Sequence, residues 1–323
     1  MKVSVCVPIY GVEKYIAKCA ESLFAQTMQK DIEFIFVNDC TRDKSMEVLA
    51  QVIKKHPHLQ DQIKIVHHAE NKGLTGARNT ALQYASGDYI IHCDSDDTIE
   101  KNFCEALYNA AVSSNADAAA CPILLENGNA VLRKLSLSDG GIDEWFANSF
   151  HSAEFNSLCN KLFARHIALD KSIQVPDHIT MAEDLLRTTQ MLLKCRKGVF
   201  CSDTAYHYYY GNAGSSTMNY SQKTFASEKT VTGILSPLLA ESHAQQQNVC
   251  QGLLLFSGLC AQGVSLTELR NAISRQAHRA ALKNPGIAPI KRLILTAAYI
   301  SMPLAKLLCR LLVKAVKKIR AGK

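Results

Sequence analysis

The 323-residue sequence predicts an α/β fold: a mostly parallel sheet flanked by helices, with a helical C-terminal extension. Three observations predict it. Over the first 125 residues, short strand-like runs alternate with segments of helical periodicity. The connections are short, which suits parallel strands whose crossover helices cover both faces of the sheet. Beyond Ser221 turn signals thin out and helical sequence takes over.

Each element follows from its pattern. VSVCVPI (3–9) reads as a first strand, and 12–24 as a helix with Ile16, Ala20 and Leu23 on one face. IEFIFV (32–37) is a second strand, followed by a helix over 43–53 that Asp43 and Ser45 start. IKIVHHA (63–69) is a third strand with its helix at 74–85. YIIHC (89–93) is a fourth, with its helix at 103–113, and DAAACPIL (117–124) reads as a fifth strand. Residues 126–220 are less regular. NPGIAP (284–289) reads as a linker ahead of a basic tail.

Composition narrows the class. With 47% hydrophobic and 20% charged residues the chain is globular. MKVSVCVPIY lacks a signal-peptide pattern, and no window reaches about 18 uninterrupted apolar residues, so neither a leader nor a membrane span is expected. The twelve cysteines form no C-x-x-C pair and several sit in apolar runs, which fits reduced thiols and a cytoplasmic location. The net charge of +7 is local: from residue 291 onward there are nine Lys or Arg and no acid, leaving 27 basic against 29 acidic residues elsewhere. A near-neutral body argues against nucleic-acid binding and assigns the charge to the tail.

In a parallel sheet ligands bind beyond the carboxyl ends of the strands. Three polar clusters fall at those ends: NDCTRD after the second strand, AENKG after the third and DSDD after the fourth. On an extended strand end Asp94 and Asp96 share one side, a pair of hard oxygen ligands suited to Mg²⁺ or Mn²⁺. Asp97 and Glu100 have capping-box spacing before the helix at Phe103. D-x-D-x-T also fits a haloacid-dehalogenase-like phosphatase, but no G-D-x-x-x-D follows. PIYGVEKY lacks the G-x-G-x-x-G of a dinucleotide site.

Four segments in order, VSVCVPIYGVEKYIAKCAESLFAQT, IEFIFVNDCTRDKS, ENKGLTGARNTAL and GDYIIHCDSDD, resemble the family 2 glycosyltransferases of the GT-A fold. The match is continuous over residues 3 to about 125 and weaker through NKLF, AED and YHYYY…SST to about 220. The resemblance implies inverting sugar transfer from a nucleotide-diphosphate sugar, with a UDP-sugar as the expected donor and Mn²⁺ or Mg²⁺ as cofactor. It implies a GT-A domain over 1–220, with a nucleotide-sugar half (1–125) and an acceptor half (126–220), and a helical region over 221–323. Pro8 and Tyr10 would lie beside the base and ribose, and Asp39 would accept from the nucleobase. Gly73, Arg78 and Asn79 would line the base or diphosphate pocket. Asp94 and Ser95 would touch the ribose side and Asp96 the metal, with Asp94 and His207 as further metal ligands. The family more often has DDGS where this chain has Asn38, Asp39, Cys40 and Thr41.

An inverting transfer needs a base for the acceptor hydroxyl. The resemblance points to AED, with Asp184 first and Glu183 second. The same residues also suit the first turn of a helix, where the macrodipole favours acids. Asn160 and Lys161 would border the acceptor. In 304–320 Leu304, Leu307, Leu308, Leu311, Leu312, Ala315, Val316 and Ile319 share a helical face opposite the cations, the pattern of a helix on an anionic membrane surface. The alternative is a helix docked on the body. The expected function is synthesis of a bacterial surface polysaccharide, onto a glycan or lipid-linked acceptor at the inner face of the cell membrane. An inactive transferase-like assembly protein is the non-enzyme alternative; the acids Asp39, Asp94, Asp96 and Asp184 count against it.

Overall fold

The computed structural model describes residues 1–127, 130–137, 140–150, 153–210, 221–239, 243–272, 274–283 and 287–320. They form two compact units: Met1–His178 with Arg187–Asn212, and Ile179–Leu186 with Ala213–Lys323. The predicted boundary at 220 lies outside the described residues, and the AED segment groups with the helical unit.

The first unit is built on β1 (Val3–Ile9), α1 (Ile16–Phe24), β2 (Ile32–Asn38), α2 (Ser45–Lys55), β3 (Ile63–His67), α3 (Gly73–Tyr84) and β4 (Tyr89–His92). After them come β5 (Thr98–Ile99), α4 (Phe103–Ser113), β6 (Ala118–Ala120), β7 (Ile123–Asn127), β8 (Ala130–Leu135), α5 (Gly141–Asn148), α6 (Ala153–Asn156), β9 (Lys161–Ala164) and α7 (Arg165–Ala168). Helix α8 (Glu183–Leu192) runs from the second unit into the first, which ends with β10 (Gly198–Phe200) and β11 (Tyr206–Tyr209). Among the described residues a seven-stranded sheet has the order β10-β6-β9-β4-β1-β2-β3. Strands β1 to β4 are parallel, and β9 runs antiparallel between β4 and β6. All seven residues of β1 are buried, as expected of a strand covered on both faces. Ile16, Cys19, Ala20, Leu23 and Phe24 form the stripe that seats α1.

The predicted fifth strand is two strands. Cys121 and Pro122 break the run: β6 stays in the large sheet, while β7 joins a second sheet of order β5-β11-β7-β8. Proline has no N–H to offer the ladder. Its carbonyl accepts instead from Tyr206 N–H (3.0 Å), which starts the pairing of β11 with β7.

The second unit is helical, as the sequence predicts: α9 (Gln222–Leu239), α10 (Ala244–Cys260), α11 (Leu266–Ala272), α12 (Arg275–Lys283), α13 (Pro289–Ile300) and α14 (Met302–Arg320). Helix α10 is the buried axis and touches the other five. At Gly252 a Cβ would lie 2.2 Å from that of Ala281, so only glycine lets α10 and α12 approach this closely. Of the NPGIAP linker, Pro289 is the first residue of α13 and residues 284–286 lie outside the described set.

Candidate active site

Strands β2 and β3 lie to one side of β1 and β4 to the other, so the order reverses at β1, where an α/β sheet opens a crevice at its carboxyl edge. The loops after β1, β2 and β4 carry the residues in question. Pro8 is buried at the end of β1 and pairs with Val37. Tyr10 is 54% exposed, which sets aside a purely packing role. The next residue, Gly11, has a φ of +69° and donates to Thr41 Oγ1 (2.9 Å). Cys40 stands at φ +56°, a left-handed conformation that glycine adopts freely and other residues at a cost of about 1–2 kcal/mol. That is the position where the family pattern has glycine.

Asp39 is buried and held tightly. Its Oδ1 accepts from Lys72 N–H (2.8 Å) and meets His68 Nδ1 (2.7 Å), and its Oδ2 accepts from Gly73 N–H (2.8 Å). The carboxylate thus satisfies backbone donors at the start of α3 from a distant strand end. Three of about four acceptor positions are filled, which leaves room for one more donor. His68 Nε2 meets Thr80 Oγ1 (2.8 Å), so α3 also fixes the imidazole that orients Asp39.

Arg78 is buried on α3, and its Nη2 donates to Asp94 Oδ1 (2.8 Å). It therefore acts on the DSDD acid directly. Asn79 turns elsewhere: its Nδ2 donates to Val175 O (3.0 Å) and Asp177 Oδ1 (2.7 Å), and its Oδ1 accepts from Arg187. These bonds tie α3 to 175–177.

The DSDD segment is not an extended strand end. Asp97 N–H donates to Asp94 O (3.1 Å), closing a turn. Alternation survives in the turn: Asp94 and Asp96 are half-buried, Ser95 and Asp97 buried. Asp97 is not the cap of α4, whose N-cap is Asn102. Strand β11 claims it instead. Tyr206 O–H donates to Asp97 Oδ2 (2.6 Å), Tyr209 N–H donates to Asp97 Oδ1 (2.8 Å), and Asp94 N–H donates to Tyr206 Oη (3.2 Å). Burial, then the charges of Asp96 and Asp94, push Asp97 well above the usual carboxylate range, against the pull of those two bonds. Burial and the two neighbouring carboxylates both favour the neutral form of Asp97. The charge of Asp96 also helps burial and Tyr209 to raise the Tyr15 phenol.

His207 points elsewhere. Its Nδ1 meets Glu126 Oε1 (2.6 Å) and its Nε2 approaches Glu100 Oε1 (3.5 Å). Strand alternation puts it on the face opposite Tyr206, the residue that reaches the DSDD turn. Lys161 is fully buried in β9, its Nζ donating to Ser157 O (2.7 Å) and Asn160 Oδ1 (2.9 Å), while Asn160 Nδ2 donates to Cys121 O (2.8 Å). Both serve the core instead of a pocket rim. The SST part of the YHYYY segment lies outside the described residues. Asp43 Oδ1 accepts from Ser45 N–H (3.1 Å) and Oγ–H (2.6 Å), the helix-start role expected of this pair.

In the second unit Glu183 and Asp184 open α8, both half-buried. Ala182 before them has a φ of +63°, a strained backbone for alanine. Thr180 and Met181 N–H both donate to Ser227 Oγ on α9 (2.9 and 3.1 Å), which holds the approach to this turn. Tyr206, His68 and Ser227 were not singled out from sequence; each acts through contacts remote in the chain.

Among the described residues no cluster of three metal-type side chains exists. Two half-buried carboxylates in one turn fit a hard divalent ion whose remaining ligands come from phosphate oxygens and water.

Residues 4–168 match the profile described as glycosyl transferase family 2. A poly(ribitol-phosphate) beta-glucosyltransferase of Bacillus spizizenii is 32% identical over 212 residues, covering 65% of this chain and 32% of that protein. The poly(ribitol-phosphate) beta-N-acetylglucosaminyltransferase TarS of Staphylococcus aureus is 30% identical over 213 residues, covering 64% and 35%. The chain thus spans about a third of the length of these relatives. The crystal structure of S. aureus TarS 1-349 in complex with UDP-GlcNAc superposes with a TM-score of 0.70 at 19% identity, covering 100% of this chain and 93% of that one. The fold is therefore that of GT-A structures, and the phosphatase alternative falls. With the profile covering half of its length, the chain belongs to glycosyl transferase family 2.

Proposed function

We propose that this protein is a metal-dependent inverting glycosyltransferase that moves a sugar from a UDP-sugar to a glycan or lipid-linked acceptor in bacterial surface polysaccharide synthesis. One observation carries the reading: Asp39, Asp94 and Asp96 stand at the carboxyl ends of β2 and β4 on either side of the β1 switch point, with Arg78 fixing Asp94. The names of the poly(ribitol-phosphate) transferases, and the UDP-GlcNAc complex of TarS, support the donor class and a polymeric acceptor.

Asp39 receives the base N–H at its remaining acceptor position, with the exposed Tyr10 ring beside the nucleoside. Asp94 and Asp96 would hold Mn²⁺ or Mg²⁺, which when bound would neutralise charge on the diphosphate. Asp184 takes the proton of the acceptor hydroxyl as its oxygen bonds to the anomeric carbon and the carbon–oxygen bond to the diphosphate breaks. This assignment rests on the AED motif and the helix start, with Glu183 as the second choice. The basic C-terminal helix holds the enzyme at the anionic inner face of the membrane. No described helix is long and apolar enough to cross a membrane.

A donor screen tests the proposal. UDP-, GDP- and dTDP-sugars are incubated with the full chain and Mn²⁺, and nucleotide release is followed. Release from a UDP-sugar that EDTA abolishes is expected. Turnover unchanged in EDTA contradicts the metal role, and no turnover of any donor with or without acceptor polymer favours an inactive assembly protein.

A further inference from the structure

The sequence offered two fates for the basic helix, a membrane surface or docking on the body, and the structure gives each a separate face. Ala305 and Cys309 of α14 are fully buried where the helix packs on α10, and Lys306 Nζ donates to Val264 O. Leu304, Leu307 and Leu311, at helical spacing on another side, are about half exposed. Exposed Arg310 and Lys314 border that stripe.

Helix α13 repeats the arrangement, which the sequence did not suggest. Ile294, Leu295 and Ala298 are buried, whereas Ile290, Leu293 and Ile300 share an outer face, Leu293 at 61% and Ile300 at 81% exposure. The two helices pack together and are joined through Ser301, so Ile300 and Leu304 flank the corner. Scattered exposed apolar residues need no explanation, but two apolar faces meeting at one corner do.

We propose that the α13–α14 hairpin is a membrane-insertion element: its corner and both outer stripes enter the interface of an anionic bilayer while the exposed Arg310 and Lys314 stay among the headgroups. The occupant is chosen by charge: the segment 291–323 carries nine cations and no acid, so it repels a second copy of itself and is attracted to an anionic surface. An amphipathic helix seated in this way buries its apolar face about 5–10 Å below the headgroups. This deepens the membrane-peripheral reading above and rests on it.

The test is flotation of the full chain with vesicles of phosphatidylcholine alone or with phosphatidylglycerol added. The probes are L293Q/I300Q, which alters exposed positions of α13 and no charge, and I300W. Wild type should float with the anionic vesicles and much less with neutral ones. L293Q/I300Q should lower the partition coefficient at least tenfold with its thermal melt unchanged. The emission of I300W, after subtracting that of the buried Trp145, should shift to the blue and be quenched by brominated lipid. If L293Q/I300Q floats like wild type, the cations alone hold the protein and insertion of α13 is wrong. If wild type floats with neither vesicle, the membrane reading itself fails. Dimerisation in sedimentation velocity that L293Q/I300Q abolishes would assign the face to a second copy and overturn the proposal.

Discussion

Substituting Tyr206 by Phe removes one oxygen and keeps the ring, including its tilted contact with Phe103 at 6.2 Å between centroids. That oxygen is fully buried and serves the DSDD turn twice, donating to Asp97 Oδ2 at 2.6 Å and accepting from Asp94 N–H at 3.2 Å. Tyr209 N–H still holds Asp97 Oδ1, so the carboxyl loses one of two partners. A buried group left without its partner costs about 1–3 kcal/mol, and half-buried Asp94 has some access to water. A loss of roughly 2–3 kcal/mol follows, or about 5–10 °C in Tm for a unit of this size. The turn also presents Asp94 and Asp96, so affinity for Mn²⁺ with UDP should fall at least tenfold. Tyr89→Phe is the control: Tyr89 Oη donates to Ala116 O (3.1 Å) and stands at the opening of β4, away from its carboxyl end. It should lower stability by about 1 kcal/mol and leave Mn²⁺–UDP affinity unchanged. Urea unfolding and calorimetry read the two effects separately. If Tyr206→Phe unfolds at the wild-type midpoint and binds Mn²⁺–UDP normally, the hydroxyl does not hold the turn.

Two further outcomes are expected. Asp184→Asn should lower kcat by roughly 10²–10⁴ with donor affinity nearly kept, and full activity in this variant together with a dead Glu183→Gln would exchange their roles. Glu33, on β2 with its side chain 2% exposed, is pushed up by burial but pulled down further by Lys64 Nζ (2.6 Å), Ser4 Oγ (2.6 Å) and Ser86 (2.7 and 2.8 Å), to a pKa of about 2. Its folded pKa lies below the ordinary 4.5, so its contribution is complete above about pH 5 and disappears as pH falls from 4.5 toward 2. The shift corresponds to about 3 kcal/mol. Glu33→Gln should flatten the pH dependence of the urea midpoint in that window, and an unchanged slope would refute the assignment.

The early strands and helices were legible because each is local: the β1 run is continuous and apolar, and α1 carries its stripe within nine residues. Elements that depend on distant partners were not. DAAACPIL looks like one strand until Pro122 and β11 divide it between sheets. Asp97 and Glu100 have the spacing of a capping box, yet a tyrosine more than a hundred residues later takes the carboxyl. Arg78 and Asn79 are neighbours on one helix and looked equivalent. The helical turn sends the first to Asp94 and the second to Asp177. Lys161 was expected at the acceptor, but it sits buried on β9, which lies between β4 and β6. On the tail, periodicity found the amphipathic pattern and could not tell which side the body would cover.

The most direct test of the account is titration of UDP into the full chain with and without Mn²⁺, repeated with Asp96→Asn. Both half-buried acids of the DSDD turn are taken to hold the ion that receives the diphosphate. Wild type should bind UDP far more tightly with Mn²⁺ than in EDTA, and Asp96→Asn should bind at the weak, metal-independent level while melting at the wild-type temperature. Equal UDP affinity in Mn²⁺ and EDTA, or an Asp96→Asn variant that keeps the full Mn²⁺ enhancement, would contradict it.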